Sequence, residues 1–209
     1  MSRYVIDSQG LKENIEYIKE KAGVPVIGVV KGNGYGFGIC ELTKVLLENG
    51  IKAFAVTEVT DIPVLKEILS DENDILIMRS TCIEAEAKII AENGCIATIG
   101  SSEACRIMNE VSKKLGVKTK CHLKIDTGMG RYGFMPSQIQ EAIDCYKASN
   151  LEFCGIYTHF SSAFRNAELT KAQLTIFKDC ISQIQKAGYE TGVAHCSNSP
   201  ALLNVDGVS

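Results

Sequence analysis

The chain has no run of lysine or arginine, no apolar stretch long enough to span a bilayer and no Cys-x-x-Cys pair. The first absence, with a net charge of -3, argues against a nucleic-acid or anionic-membrane surface. The second leaves no candidate transmembrane helix. The N-terminal Met1-Ser2-Arg3-Tyr4-Val5-Ile6-Asp7 is too short and too polar for a signal peptide, so a cytoplasmic protein is expected. The third absence matters because cysteine itself is plentiful. Nine cysteines, an odd number, are spread from Cys40 to Cys196 with neither zinc-site nor disulfide spacing. Cys121, Cys154 and Cys196 fall within or beside strand-like runs, so buried free thiols are expected.

What is present is an ordinary globular composition, 45% hydrophobic and 22% charged, on 209 residues, enough for one substantial core. Apolar runs of strand length alternate with segments of helical period. The strands are expected at Pro25 to Val30, Ala53 to Val56, Ile75 to Met78, Ile96 to Ile99, Lys120 to Ile125, Phe153 to Tyr157 and Gly192 to His195. Leu42, Val45 and Leu46 mark one helix between them, Ile62, Leu65, Ile68 and Leu69 a second, and Leu174, Phe177, Ile181 and Ile184 a third. Gly50, Gly94, Gly116 and Gly188 punctuate helix ends. Strands joined by helices imply a parallel α/β fold.

A doubly wound sheet and an eight-stranded barrel compete. Polar residues cluster at the carboxyl ends of strands one, five, six and seven. A barrel gathers such ends at one mouth, whereas in an open sheet they would rarely meet. A TIM-type (β/α)8 barrel spanning residues 1–209 and lacking its eighth strand is therefore expected. An unclosed barrel leaves strand edges bare. Tyr4 to Ile6 also reads as a strand, with Ser8 as N-cap of the helix that follows. The chain reads as cut short.

The polar residues have candidate roles. Lys31 leaves an apolar run and enters Gly32-Asn33-Gly34-Tyr35-Gly36-Phe37-Gly38. Burial lowers a lysine's pKa and equips it as nucleophile or base, and glycines let a ligand approach the backbone. Such a lysine is a candidate for a Schiff base with a carbonyl substrate or pyridoxal phosphate. Gly128, Gly130 and Gly133 match Gly-x-Gly-x-x-Gly, but Phe134-Met135-Pro136 follows where a dinucleotide site needs a helix. A tight loop presenting Arg131 to an acceptor oxygen is the better reading. His159 and His195 end adjacent strands, and no carboxylate or third histidine completes a metal set. Ser199 and Pro200 read as N-cap and first residue of a helix, where barrels commonly hold a phosphate.

Lys31 with Tyr35, the stretch from Lys124 to Phe134, Thr158-His159-Phe160, and His195 with Asn198-Ser199 resemble, in order and spacing, the successive motifs of the alanine racemase family. The match covers the N-terminal pyridoxal-phosphate barrel and none of the family's C-terminal β domain. The resemblance implies that Lys31 forms the internal aldimine and serves as base on one face of the substrate Cα. Tyr35 and Ser199 would contact the cofactor phosphate, with Asn198 beside them. Arg131 would hydrogen-bond the phenolic oxygen, and His159 would lie against the pyridine ring with His195 behind. Lys124 matches a position often carbamylated in the family, where the new carboxylate orients the arginine.

Departures are also legible. Position 32 is glycine where alanine is usual, and Phe164 stands where the family has an acidic residue. The second base, a tyrosine of the partner subunit's β domain, has no match here, and neither does the arginine facing the pyridine nitrogen. The resemblance thus implies an amino acid racemase domain, for alanine above all, weak or inactive as these residues alone and homodimeric in a full-length form. The competing reading is a single-domain pyridoxal-phosphate-holding protein without racemase chemistry.

Overall fold

The computed structural model describes Val5 and residues 7–205. Of the strand expected at Tyr4 to Ile6, Tyr4 and Ile6 lie outside the described residues, and Val5 carries no strand assignment. The chain divides into two compact units after Arg79.

The first unit contains α1 (Ser8–Ala22), β1 (Ile27–Val29), α2 (Lys31–Tyr35), α3 (Ile39–Glu48), β2 (Ala53–Val56), α4 (Ile62–Lys66) and β3 (Asp74–Ile77). Its strands are parallel and pair in chain order, Gly28 opposite Phe54 and Ala55 opposite Leu76. Phe54, Ala55, Val56, Ile75, Leu76 and Ile77 are all buried. Consecutive burial, without alternation, marks strands covered on both faces, as parallel sheets require. The helix α1 is capped by Asp7, whose carboxylate accepts from the backbone N–H of Gln9 and Gly10. Ser8, expected as the cap, is instead the first helical residue, because the backbone is still extended at Asp7 (φ -77°, ψ 99°), which therefore takes the cap position.

The second unit runs α5 (Glu84–Glu92), β4 (Ile96–Ile99), α6 (Ser102–Leu115), β5 (Thr119–Lys124), α7 (Ile139–Cys145), β6 (Leu151–Tyr157), α8 (Ala167–Lys186), β7 (Val193–His195) and α9 (Ser199–Asn204). Strands β4 to β7 are again parallel and adjacent in chain order. Ser101 caps α6, accepting from Ala104 N–H at 3.1 Å, and Gly116 ends that helix with φ of 69°. All four residues of β4 are buried, whereas Val193 and Ala194 of β7 are exposed.

All seven strands expected between Pro25 and His195 are present, shifted by no more than two residues at an end. Gly50, Gly94, Gly116 and Gly188 all adopt positive φ, the conformation helix-terminating glycines supply. Strand order that follows chain order within each unit is the progression of a (β/α)8 barrel and differs from the reversal of a doubly wound sheet. The fold is the expected α/β, TIM-type one, with seven strands and no eighth among the described residues.

Short helices here depend on burial rather than on propensity. The five-residue α4 is anchored by Ile62 and Leu65, both fully buried. Leu65→Ala is expected to lower unfolding free energy by about 2–5 kcal/mol. Urea denaturation checks this, and a loss under ~1 kcal/mol would show that the helix is held by something else.

Candidate active site

In the first unit the sheet delivers Lys31. Val30 still donates to Ala55 O at 3.0 Å, then the chain turns sharply. Lys31 itself is half-buried. The turn expected as a glycine-rich loop is left-handed. φ is positive at Gly32 (61°), Asn33 (53°), Gly34 (62°), Tyr35 (56°) and Gly36 (89°). Gly34 N–H donates to Val30 O at 2.9 Å and Gly36 N–H to Gly32 O at 3.1 Å. Alternating glycine makes this handedness accessible. Asn33 tolerates it, and its side-chain oxygen accepts from Ile39 N–H at 3.0 Å, joining the turn to α3. Tyr35 carries the strain, ~1–2 kcal/mol for a residue with a Cβ. The residue is 60% exposed, and partial burial raises its hydroxyl pKa. Strain of this kind concentrates at functional sites.

In the second unit Lys124 ends β5 with its side chain buried, 2% exposed. Its ammonium donates to Ile125 O at 2.7 Å and lies over the rings of Tyr132 (5.6 Å) and Tyr157 (5.5 Å). Burial pushes its pKa down to about 8; Asp126 opposes that shift and Arg131 reinforces it. The loop beyond closes on itself. Phe134 N–H donates to Lys124 O and Asp126 N–H to Phe134 O, both at 2.9 Å. Gly133 has φ of 118°, and a Cβ there would meet Lys124 and backbone at 3.0 Å or less. Arg131 is exposed on this loop, its guanidinium 5.4 Å from the Tyr132 ring centre. Lys124 and Arg131 thus meet across one tyrosine, and no helix follows directly, as the rejection of a dinucleotide site requires.

The ends of β6 and β7 hold the histidines. His159 is half-buried two residues beyond β6. The His195 ring stacks on Tyr157 at 4.8 Å and 8°, and its Nε2 lies 2.9 Å from Nδ1 of His122. Burial, then the neighbouring His122, pushes the His195 pKa down to about 3. Asn198 caps α9, accepting from Ala201 N–H at 3.0 Å, while its amide donates to Phe160 O at 3.4 Å. Ser199, expected as the cap, is therefore the first residue of α9, because Asn198 reaches the free N–H first. Thr127 and Thr158 hydroxyls meet at 2.9 Å, and buried Gln173 of α8 accepts from Ser161 N–H and hydroxyl at 3.1 Å each.

The sequence reading missed His122, Tyr157, Asp126 and Gln173. The signal for His122 was available: two residues before Lys124 on a strand, it shares that side chain's face. Gly155 makes room for it, since a Cβ there would lie 2.4 Å from the His122 ring. Nothing local marks Gln173.

The model of the alanine racemase N-terminal domain matches residues 6–208. Alanine racemase of Methanococcus maripaludis is 31% identical over 204 residues, 95% of this chain and 54% of that protein. The structure of alanine racemase from Clostridium difficile 630 is similar with a TM-score of 0.85 and 29% identity, over 94% of this chain and 52% of that one. A structure from Bartonella henselae, of alanine racemase with covalently bound pyridoxal phosphate, shares the fold at a TM-score of 0.86 and 22% identity, over 97% of this chain and 58% of that one. The chain spans about half the length of the curated relatives it matches.

The His122–His195 pair has a pH consequence. The folded chain refuses a proton that the unfolded chain binds below about pH 6.5. Stability contributed by neutral His195 is therefore complete above pH 6.5 and falls by up to ~1.4 kcal/mol per pH unit towards pH 3. Gly155→Ala should expel His122 and raise the His195 pKa. Nitrogen NMR of the imidazoles checks both, and an unchanged titration in the variant would contradict the packing argument.

Proposed function

Because the chain belongs to the alanine racemase N-terminal domain family, we propose that it is the cofactor-binding domain of a pyridoxal-phosphate-dependent amino acid racemase acting on alanine. The observation that carries the reading is Lys31, a half-buried amine at the end of β1, followed at once by a strained left-handed turn that includes Tyr35.

By residue type, each unit offers groups of the kind the cofactor needs. Lys31 would hold its carbonyl carbon. Tyr35 hydroxyl, Asn198 and the exposed Ser199 would donate to its phosphate. Arg131, presented on a closed loop, would donate to the phenolic oxygen. His159 would pack against the pyridine ring, and His195, held neutral by burial, would back it without adding charge. When bound, pyridoxal phosphate supplies an electron sink that acidifies the Cα proton of an amino acid. Lys31 then takes and returns that proton on one face. Racemisation needs a base on the other face too, and Lys31 is the one base assigned here. Expressed as these 209 residues, the chain should therefore racemise slowly. A second copy of the protein is the proposed partner.

Lys124 has a separate proposed role. Its depressed pKa leaves about half the amine neutral near pH 8, the form that attacks carbon dioxide. Nitrogen bonds to carbon, a proton leaves, and a carbamate replaces the ammonium beside Arg131, where its negative charge would orient the guanidinium. Among the described residues, no helix is long and apolar enough to cross a membrane.

Borohydride reduction with pyridoxal phosphate should leave one pyridoxyl group, on the Lys31 peptide, and none in Lys31→Ala. Adducts scattered over other lysines would overturn the assignment. Exchange of the alanine Cα proton in heavy water then separates a racemase domain from a protein that merely holds the cofactor, which would show none. With carbon-13 bicarbonate at pH 8, a carbamate resonance should appear and be lost in Lys124→Arg. Its absence from wild type would remove the modification from the mechanism.

A further inference from the structure

Four consecutive backbone N–H groups converge on one carboxylate. Asp126 Oδ1 accepts from Gly128 at 2.9 Å, Met129 at 2.7 Å and Gly130 at 3.1 Å. Its Oδ2 accepts from Arg131 N–H at 2.9 Å. Successive N–H groups curled in this way form a concavity that ordinarily binds a free anion. Here the chain fills it with its own side chain, 8% exposed. Burial acts to raise the Asp126 pKa, but the N–H groups of Gly128, Gly130, Arg131 and Met129 outweigh it and hold the carboxyl below its ordinary value. The loop has no helix or strand of its own. Its base is closed by the Phe134 bonds to Lys124 and Asp126, and its interior is filled by this carboxylate.

We infer that Asp126 is a positioning residue for Arg131, holding the arginine's backbone so that the exposed guanidinium is presented in one direction before any ligand arrives. The inference rests on the reading of Arg131 as a cofactor contact. Asp126 touches no ligand itself. The two oxygens divide the work: Oδ1 shapes the turn over Gly128 to Gly130, and Oδ2 alone fixes residue 131. Among the described residues no hydrogen bond or ion pair holds the Arg131 side chain, which lies over the Tyr132 ring.

Asp126→Asn separates the two functions. A carboxamide oxygen in the Oδ1 position keeps the turn, and its NH2 then faces the Arg131 N–H, donor against donor. In either orientation at least one N–H loses its acceptor. Amide hydrogen exchange of the cofactor-free protein should show lost protection at Arg131 in this variant. Pyridoxal phosphate affinity, followed by its absorbance, should weaken about ten- to a hundredfold, the scale of one charge-assisted bond. Arg131→Ala should weaken it similarly, and the double variant no further than the worse single one. Unchanged affinity in Asp126→Asn overturns the inference. Additive losses also overturn it, since Asp126 would then act on the fold and not through Arg131. If wild type itself binds no pyridoxal phosphate, the cofactor reading fails. Exchange then decides alone: lost Arg131 protection in Asp126→Asn upholds the clasp, and unchanged protection overturns it. Should Asp126→Asn not fold, Asp126→Glu replaces it in every arm, moving the charge by one methylene.

Discussion

Parallel pairing constrains everything else in this molecule. A parallel strand cannot follow its neighbour through a tight turn; the chain must travel back outside the sheet, here through a helix. Within each unit, therefore, all strands finish at the same end. Lys31 emerges at that end of the first unit. Lys124, His159 and His195 emerge together at that end of the second. Of the candidate site's residues, Arg131 is the one carried out on an extended loop, between Lys124 and Phe134.

The same constraint makes the strand ends expensive places for charge. Strands covered on both faces are apolar throughout, so a polar side chain there leaves water as it enters. The second unit meets this in three ways. Lys124 finds a carbonyl and two tyrosine faces, and becomes easier to deprotonate. His195 gives up its charge and shares a hydrogen bond with His122. Asp126 keeps its charge because four N–H groups replace its hydration. The results are an amine that deprotonates easily, a neutral ring and a fixed loop.

The first unit works by strain instead. Glycine at alternate positions lets the chain run left-handed just beyond Lys31, and Tyr35 is carried along at a cost. Such a backbone is expected where geometry at one lysine matters more than local stability.

Periodicity located the strands, because two-sided burial leaves a continuous apolar run whatever the partner is. The motif residues Lys31, Arg131, His159 and His195 were legible because each directly follows such a run or its glycine turn. Capping assignments at Ser8 and Ser199 missed by one residue, since Asp7 and Asn198 compete for the same N–H groups and only backbone geometry chooses between neighbours. What the sequence by itself determined is the α/β order and the strand-end location of the reactive side chains. Only tertiary structure decided that Lys124 is buried beside two tyrosines, that His122 reaches His195 across Gly155, and that Asp126 closes the Arg131 loop. Those are contacts between residues up to 73 positions apart, and linear spacing carries no information about which face or loop will receive them.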